Sequence, residues 1–150
     1  MDLKRWILIA GFLLIGFLGV STARMVKYRS QIDFQQRTDF TIDYIEDLEN
    51  AKRYDLALDQ LNRHTALTTG LLAGMGYSDR ERDSFLQQWM DVAKVYKLRG
   101  RALGVSEDEM RAHLQDAIDR IMAVPLKDPA IRQRLEGGFK YLLAPPGSHA

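Results

Sequence analysis

The residues best suited to acid–base or metal chemistry in this sequence are three histidines, His64, His113 and His149. A metal-binding helix commonly pairs two histidines three or four residues apart, so that both face one ion. None of the three has such a neighbour, and the sequence contains no His-Glu-x-x-His motif. His64 and His113 lie next to apolar positions of predicted helices, and we interpret them as residues at the edge of a core.

Two acidic clusters supply paired carboxylates, DYIEDLE at residues 43–49 and SEDE at residues 106–109. A carboxylate pair becomes catalytic when an apolar pocket raises the pKa of one member. The flanking sequence predicts no such pocket, and we interpret both clusters as solvated helix faces and helix caps. The glycines of TTGLLAGMG match no phosphate loop, because no Gly-Lys-Ser/Thr follows. We therefore expect no catalytic site, no cofactor and no small-molecule substrate.

Composition excludes several further classes of protein. The 150 residues include 21 basic and 20 acidic side chains and no cysteine. A surface so evenly balanced argues against nucleic acid as a partner, because phosphate binding requires a basic stripe. The absence of cysteine excludes disulfide scaffolds, thiol catalysis and cysteine-ligated zinc, but it does not indicate a compartment.

An uncharged run from Trp6 to Ala23 stands between Lys4-Arg5 and the basic residues Arg24, Lys27 and Arg29. As a helix this run would be about 27 Å long, close to the roughly 30 Å thickness of a bilayer core. It predicts a single membrane-spanning anchor that is retained in the mature protein. The alternative is a cleaved secretion signal, with small residues at Ser21 and Ala23. The side chains expected to face lipid are Trp6, Ile7, Leu8, Phe12, Leu13, Leu14, Ile15, Phe17 and Leu18.

The short basic tail before this run is typical of a signal anchor with an exported domain. We therefore expect a single-pass protein of the bacterial inner membrane, although the basic residues after the run favour the opposite orientation. Gly19 and Ala23 have the four-residue spacing that allows close helix contact, and they are candidate contacts for a partner helix.

The remaining sequence predicts an all-α domain of about five helices and no strands, because its apolar residues recur at helical spacing. We assign residues 1–29 to the anchor and its basic flank, residues 30–143 to the helical domain, and residues 144–150 to a flexible tail. Ser78 with Glu81, and Ser106 with Glu109, have the spacing of capping boxes. Asp128 followed by Pro129 predicts the start of a last helix.

The three glycines of TTGLLAGMGY predict the end of the second helix and a flexible linker after it. This linker carries four apolar residues, Leu71, Leu72, Met75 and Tyr77. Apolar side chains in a mobile segment need a cover. They either fold over the domain's own core or form a contact surface for a partner, and we retain them as candidate partner contacts.

Residues 38–125 resemble the tetratricopeptide repeat, a helix–turn–helix unit with apolar and small residues at fixed offsets. Tyr54, Ala57 and Leu61 are similar to the aromatic, small and large positions of one repeat. A second unit is carried by Trp89, Val92, Ala93, Tyr96 and a closing Pro125. The resemblance implies protein binding without catalysis, and a general helical hairpin is the alternative.

From these observations we predict a non-catalytic accessory or scaffold subunit of a larger membrane protein complex. Its partners would be the bilayer and neighbouring subunits of that complex. One alternative is an anchored tetratricopeptide-like adaptor or assembly factor that binds clients transiently. The other is a secreted helical binding protein or enzyme whose signal peptide is removed.

Overall fold

The structure is a computed structural model that describes residues 3–74 and 76–145; the side chains of residues 3–8 and 10 are outside the description. Within this part of the chain, all regular structure is α-helical, in five helices and without a strand. The predicted all-α class is therefore confirmed. The helices are α1 (Leu3–Ala51), α2 (Tyr54–Ala73), α3 (Asp79–Gly100), α4 (Glu107–Met122) and α5 (Pro129–Leu143).

The chain divides into two compact units, Met1–Gln35 and Gln36–Ala150. The first unit, where it is described, consists of the first part of α1. The second unit holds the remainder of α1 and the helices α2 to α5, together with the apolar core. The predicted boundary after residue 29 stays a prediction.

Four helices of the second unit form a closed ring. Helix α2 packs on α3 and α4, and α5 packs on the same two helices. Residues of α3 fill the centre of the ring. They have 0 % exposure and recur at the spacing of one helix face. Burial of large apolar side chains is the main stabilising contribution to a small domain. The predicted stripe of α3 is thereby confirmed, with Phe85, Trp89, Val92, Ala93 and Tyr96 all buried.

The helices begin where the sequence predicts. Ser78 accepts from the Glu81 N–H and the Glu81 side chain bonds back to the Ser78 N–H, which completes a capping box for α3. Ser106 accepts from the Glu109 N–H at the start of α4. Asp128 accepts from two N–H groups of α5, and Pro129 occupies the first turn, where its missing N–H has no consequence.

The predicted break within TTGLLAGMGY is wrong in its position, because α2 continues through Gly70 to Ala73. Glycine within a helix costs about 1 kcal/mol relative to alanine. This cost is offset by Leu72, which is 1 % exposed in the core, since burying a leucine contributes about 2 kcal/mol. The helix ends at Ala73, and the N–H of the following Gly74 donates to the Leu71 carbonyl at 3.1 Å.

The structure contradicts the predicted membrane-spanning helix. None of the five helices, as far as their residues are described, contains an apolar stretch of the length needed to cross a membrane. The predicted single-pass location, with an exported domain at the bacterial inner membrane, is therefore corrected.

Candidate functional site

The most exposed apolar surface of the described chain is the segment of α1 from Phe12 to Val20, which we call the apolar arm. The nine residues of this segment make about two and a half helical turns, so their side chains point in all directions around the axis. Apolar side chains therefore lie on every face of the arm and not along one stripe. Their exposed fractions lie between 55 % and 76 % for Phe12, Leu13, Leu14, Ile15, Phe17, Leu18 and Val20.

The arm contains most of the residues that the sequence predicts as an anchor. Trp6, Ile7 and Leu8 belong to α1, but their side chains lie outside the described residues. Gly19 and Ala23, the candidate contacts for a partner helix, are both exposed. An added Cβ at Gly19 would meet nothing within 4 Å, so that position is open to a close approach by another chain.

The predicted partner contacts after the second helix lie partly in the core. Leu72 is buried, whereas Leu71 is half-buried on α2. Tyr77 is half-buried and packs edge-on against Phe85, with 5.2 Å between ring centroids. Met75 lies outside the described residues. Partner contact by this segment stays a prediction. Leu71 and Tyr77, which are only half-buried, are the residues available for such a contact.

A chain of hydrogen bonds joins α2, α3 and α4 through Tyr54, Tyr96 and His113. The Tyr96 hydroxyl donates to the Tyr54 hydroxyl at 2.7 Å. The Tyr54 hydroxyl lies 2.6 Å from His113 Nδ1, and the Tyr96 hydroxyl lies 3.1 Å from the same atom. Burial raises the pKa of both tyrosines. The phenols are therefore protonated at neutral pH, and the cluster acts as a structural connection between helices.

A second polar cluster surrounds His64, which is 3 % exposed. His64 Nε2 lies 3.3 Å from the Thr38 hydroxyl of α1. Nearby, the Trp89 indole N–H donates to the Thr65 hydroxyl at 2.9 Å. Burial lowers the pKa of His64 to about 4, because the charged ring would lose its hydration. The imidazole is thus neutral at pH 7 and serves as a buried hydrogen-bonding group.

Above His64, a groove runs between the second part of α1 and α2; we call it the α1–α2 groove. Its volume is about 470 Å³, and Thr41 and His64 are among its lining residues. Exposed or half-exposed side chains line the rest of it, namely Arg37, Phe40, Gln60, Arg63 and Leu67. This combination of an aromatic ring, an aliphatic side chain and two arginines is typical of a binding surface.

A cleft of about 650 Å³ lies at the starts of α3 and α5. Several of its polar groups have structural partners, but the buried Nε of Arg82 has none among the described residues. Asp79 Oδ2 accepts from the backbone N–H groups of Lys127 and Asp128 at 2.8 and 2.7 Å. Arg82 donates to the Pro125 carbonyl and lies 3.7 Å from Asp79. Through Asp79 the cleft joins the starts of α3 and α5.

No group of three or more His, Asp or Glu side chains within the described residues is placed to hold a metal ion. Sequence reasoning identified the apolar arm but not the α1–α2 groove. The sequence contains a signal for the groove. Arg37 and Phe40 have i, i+3 spacing on one predicted helix, and Arg63 and Leu67 have i, i+4 spacing on the next. Recognising the groove also requires knowing that these two helices lie side by side.

Comparisons with known proteins add no family. No protein-family model matches the chain, and neither the curated proteins nor the solved structures gave a match. The resemblance to the tetratricopeptide repeat therefore stays a prediction.

Proposed function

We propose that this chain is a non-catalytic subunit of a larger protein assembly, and that it joins the assembly through the apolar arm of α1. The observation that carries the proposal is the exposure of large apolar side chains on every face of the arm, at 55–76 %. A helix that is apolar all round is normally surrounded by other protein or by an apolar phase. Exposed patches of this kind on soluble domains mark interaction sites.

The occupant that we propose is a group of helices from neighbouring subunits. A partner on one side alone would leave half of the arm in water, so more than one partner helix is required. The open position at Gly19 supports this occupant, because a residue without a side chain lets a second helix approach closely.

The helical domain supports a binding role and not a catalytic one. Its buried His64 is neutral, the hydroxyls of Tyr54 and Tyr96 are hydrogen-bonded to each other, and Asp79 bonds to the backbone before α5. The tetratricopeptide resemblance, which implies protein binding, is part of the same proposal.

The test is to purify the tagged full chain from its own cells and to measure the mass of the complex and the ratio of its components. We expect one set of proteins in fixed ratio with the wild type. Phe12→Ser should reduce retention of that set by about tenfold or more, because a buried phenylalanine contributes about 2 kcal/mol or more to an interface. Phe12 is 76 % exposed in the free chain, so its replacement should leave the melting temperature unchanged.

Leu98→Ser is the matched control. Leu98 is 72 % exposed on α3, outside the arm, and its replacement should leave retention unchanged. Three results contradict the proposal: equal retention by both variants, partners that vary from one preparation to the next, or binding to protein-free lipid vesicles in place of a fixed set of proteins.

A further inference from the structure

The α1–α2 groove has the features of a second binding site, independent of the apolar arm. It lies wholly within the unit Gln36–Ala150, between helices that belong to the same core. Its volume of about 470 Å³ is within the usual range for a ligand site. Two of its lining residues are buried: Thr41 donates to the Arg37 carbonyl at 2.7 Å, and His64 Nε2 lies 3.3 Å from the Thr38 hydroxyl.

The groove carries positive charge at its rim. Arg63 is exposed and is paired with Asp59, 2.7 Å away on the same helix. The Arg37 guanidinium has no hydrogen-bonding or ionic partner among the described residues. The groove therefore has a net positive charge, although the whole chain is nearly neutral. Arginine favours carboxylates, because its planar guanidinium forms two parallel hydrogen bonds with them.

The groove also offers an apolar contact. Phe40 is 65 % exposed, and its ring is stacked on Tyr44 with 6.0 Å between centroids and an interplanar angle of 6°. The stacked neighbour holds the Phe40 ring in position, so little conformational entropy is lost when a ligand covers it. Leu67 of α2 also lines the groove.

We propose that the α1–α2 groove binds an acidic segment of a partner protein. A carboxylate of that segment pairs with Arg37 and Arg63, and a neighbouring apolar side chain packs between Phe40 and Leu67. Charge complementarity selects this occupant, and the exposed aromatic ring selects a segment with an apolar residue beside its acidic ones. A nucleic acid would need a longer basic stripe than two arginines provide.

The test uses the purified full chain and two synthetic peptides in fluorescence anisotropy at low salt. One peptide consists of Asp and Glu with one Leu and one Phe; the other has Asn and Gln in place of the acids. We expect the acidic peptide to bind with Kd of about 10–100 μM and the neutral peptide to bind at least roughly tenfold more weakly.

The variant Arg37→Gln/Arg63→Gln should weaken binding of the acidic peptide by roughly tenfold. Phe40→Ser should weaken it by about threefold to tenfold at unchanged net charge. The control Arg111→Gln/Arg134→Gln removes the same charge from α4 and α5 and should leave binding unchanged. All these side chains are at least partly exposed, and circular dichroism will verify that each variant is folded.

Two outcomes overturn the inference. One is equal binding of the acidic and neutral peptides, or equal binding by wild type and Arg37→Gln/Arg63→Gln. The other is an equal loss in the control variant, which would show that net charge and not the groove attracts the peptide. Neither outcome depends on the apolar arm, because the proposed function is judged by a separate experiment, the retention of an assembly by wild type and Phe12→Ser.

Discussion

The burial of His64 predicts that the domain loses stability in mild acid. The pKa of this imidazole falls from its ordinary 6.5 to about 4 in the folded chain. The unfolded chain therefore binds the proton first as the pH decreases, and protonation favours unfolding. The contribution of neutral His64 is present above about pH 6.5 and is lost progressively between pH 6.5 and about 4.

The size of the effect follows from the difference between the two pKa values. Each pKa unit corresponds to about 1.4 kcal/mol, so full protonation would lower the free energy of unfolding by about 3 kcal/mol. Between pH 7 and pH 5 the loss is about 2 kcal/mol. For a domain with a total stability of about 5–15 kcal/mol, this is a substantial fraction.

The assay is urea unfolding of the full chain at both pH values, followed by far-UV circular dichroism. His64→Gln is the reference, because its amide can hydrogen-bond to Thr38 and does not titrate. Carboxylates titrate equally in both proteins, so the difference between the two losses isolates His64. Equal losses in wild type and variant would refute the reasoning, as would an NMR titration of the His64 ring with a midpoint near 6.5.

Two further predictions concern the core and α5. Tyr96→Phe should lower the free energy of unfolding by about 1–2 kcal/mol, because the hydroxyl that donates to Tyr54 at 2.7 Å is lost. Tyr28→Phe, on a ring that is 67 % exposed, should have no measurable effect in the same urea titration. Gly137→Ala should raise the melting temperature, since alanine favours a helix over glycine by about 1 kcal/mol and its Cβ would meet no atom within 4 Å. Gly138→Ala should lower it, because the Cβ would lie 2.6 Å from Met90 Sδ; a higher melting temperature for both variants would contradict this account of the packing.

Local signals made the helix starts predictable. A capping residue acts on N–H groups two or three positions away, so Ser78, Ser106 and Asp128 carry the necessary information in the sequence itself. The buried stripe of α3 was predictable for the same reason, since its period is that of a helix. The class and the order of the helices follow from these short-range patterns.

Long-range packing determined the features that the sequence did not reveal. Gly70 stays helical because Leu72, two residues later, is buried by other helices, and no pattern within α2 contains that fact. His64 is buried through contact with α1, and the groove beside it exists only where two helices run side by side. The length of the apolar run in the sequence predicted a membrane-spanning helix, which the described residues of α1 do not provide.

The ring formed by α2, α3, α5 and α4 has a consequence for how the domain opens. A linear array of repeats, in which each unit touches only the next, can unzip from one end. In a ring every helix is held on two sides, so release of one exposes the core of the others. Amide hydrogen exchange should therefore report a single cooperative event across the ring, with the amides from Trp89 to Tyr96 exchanging at the rate of global unfolding.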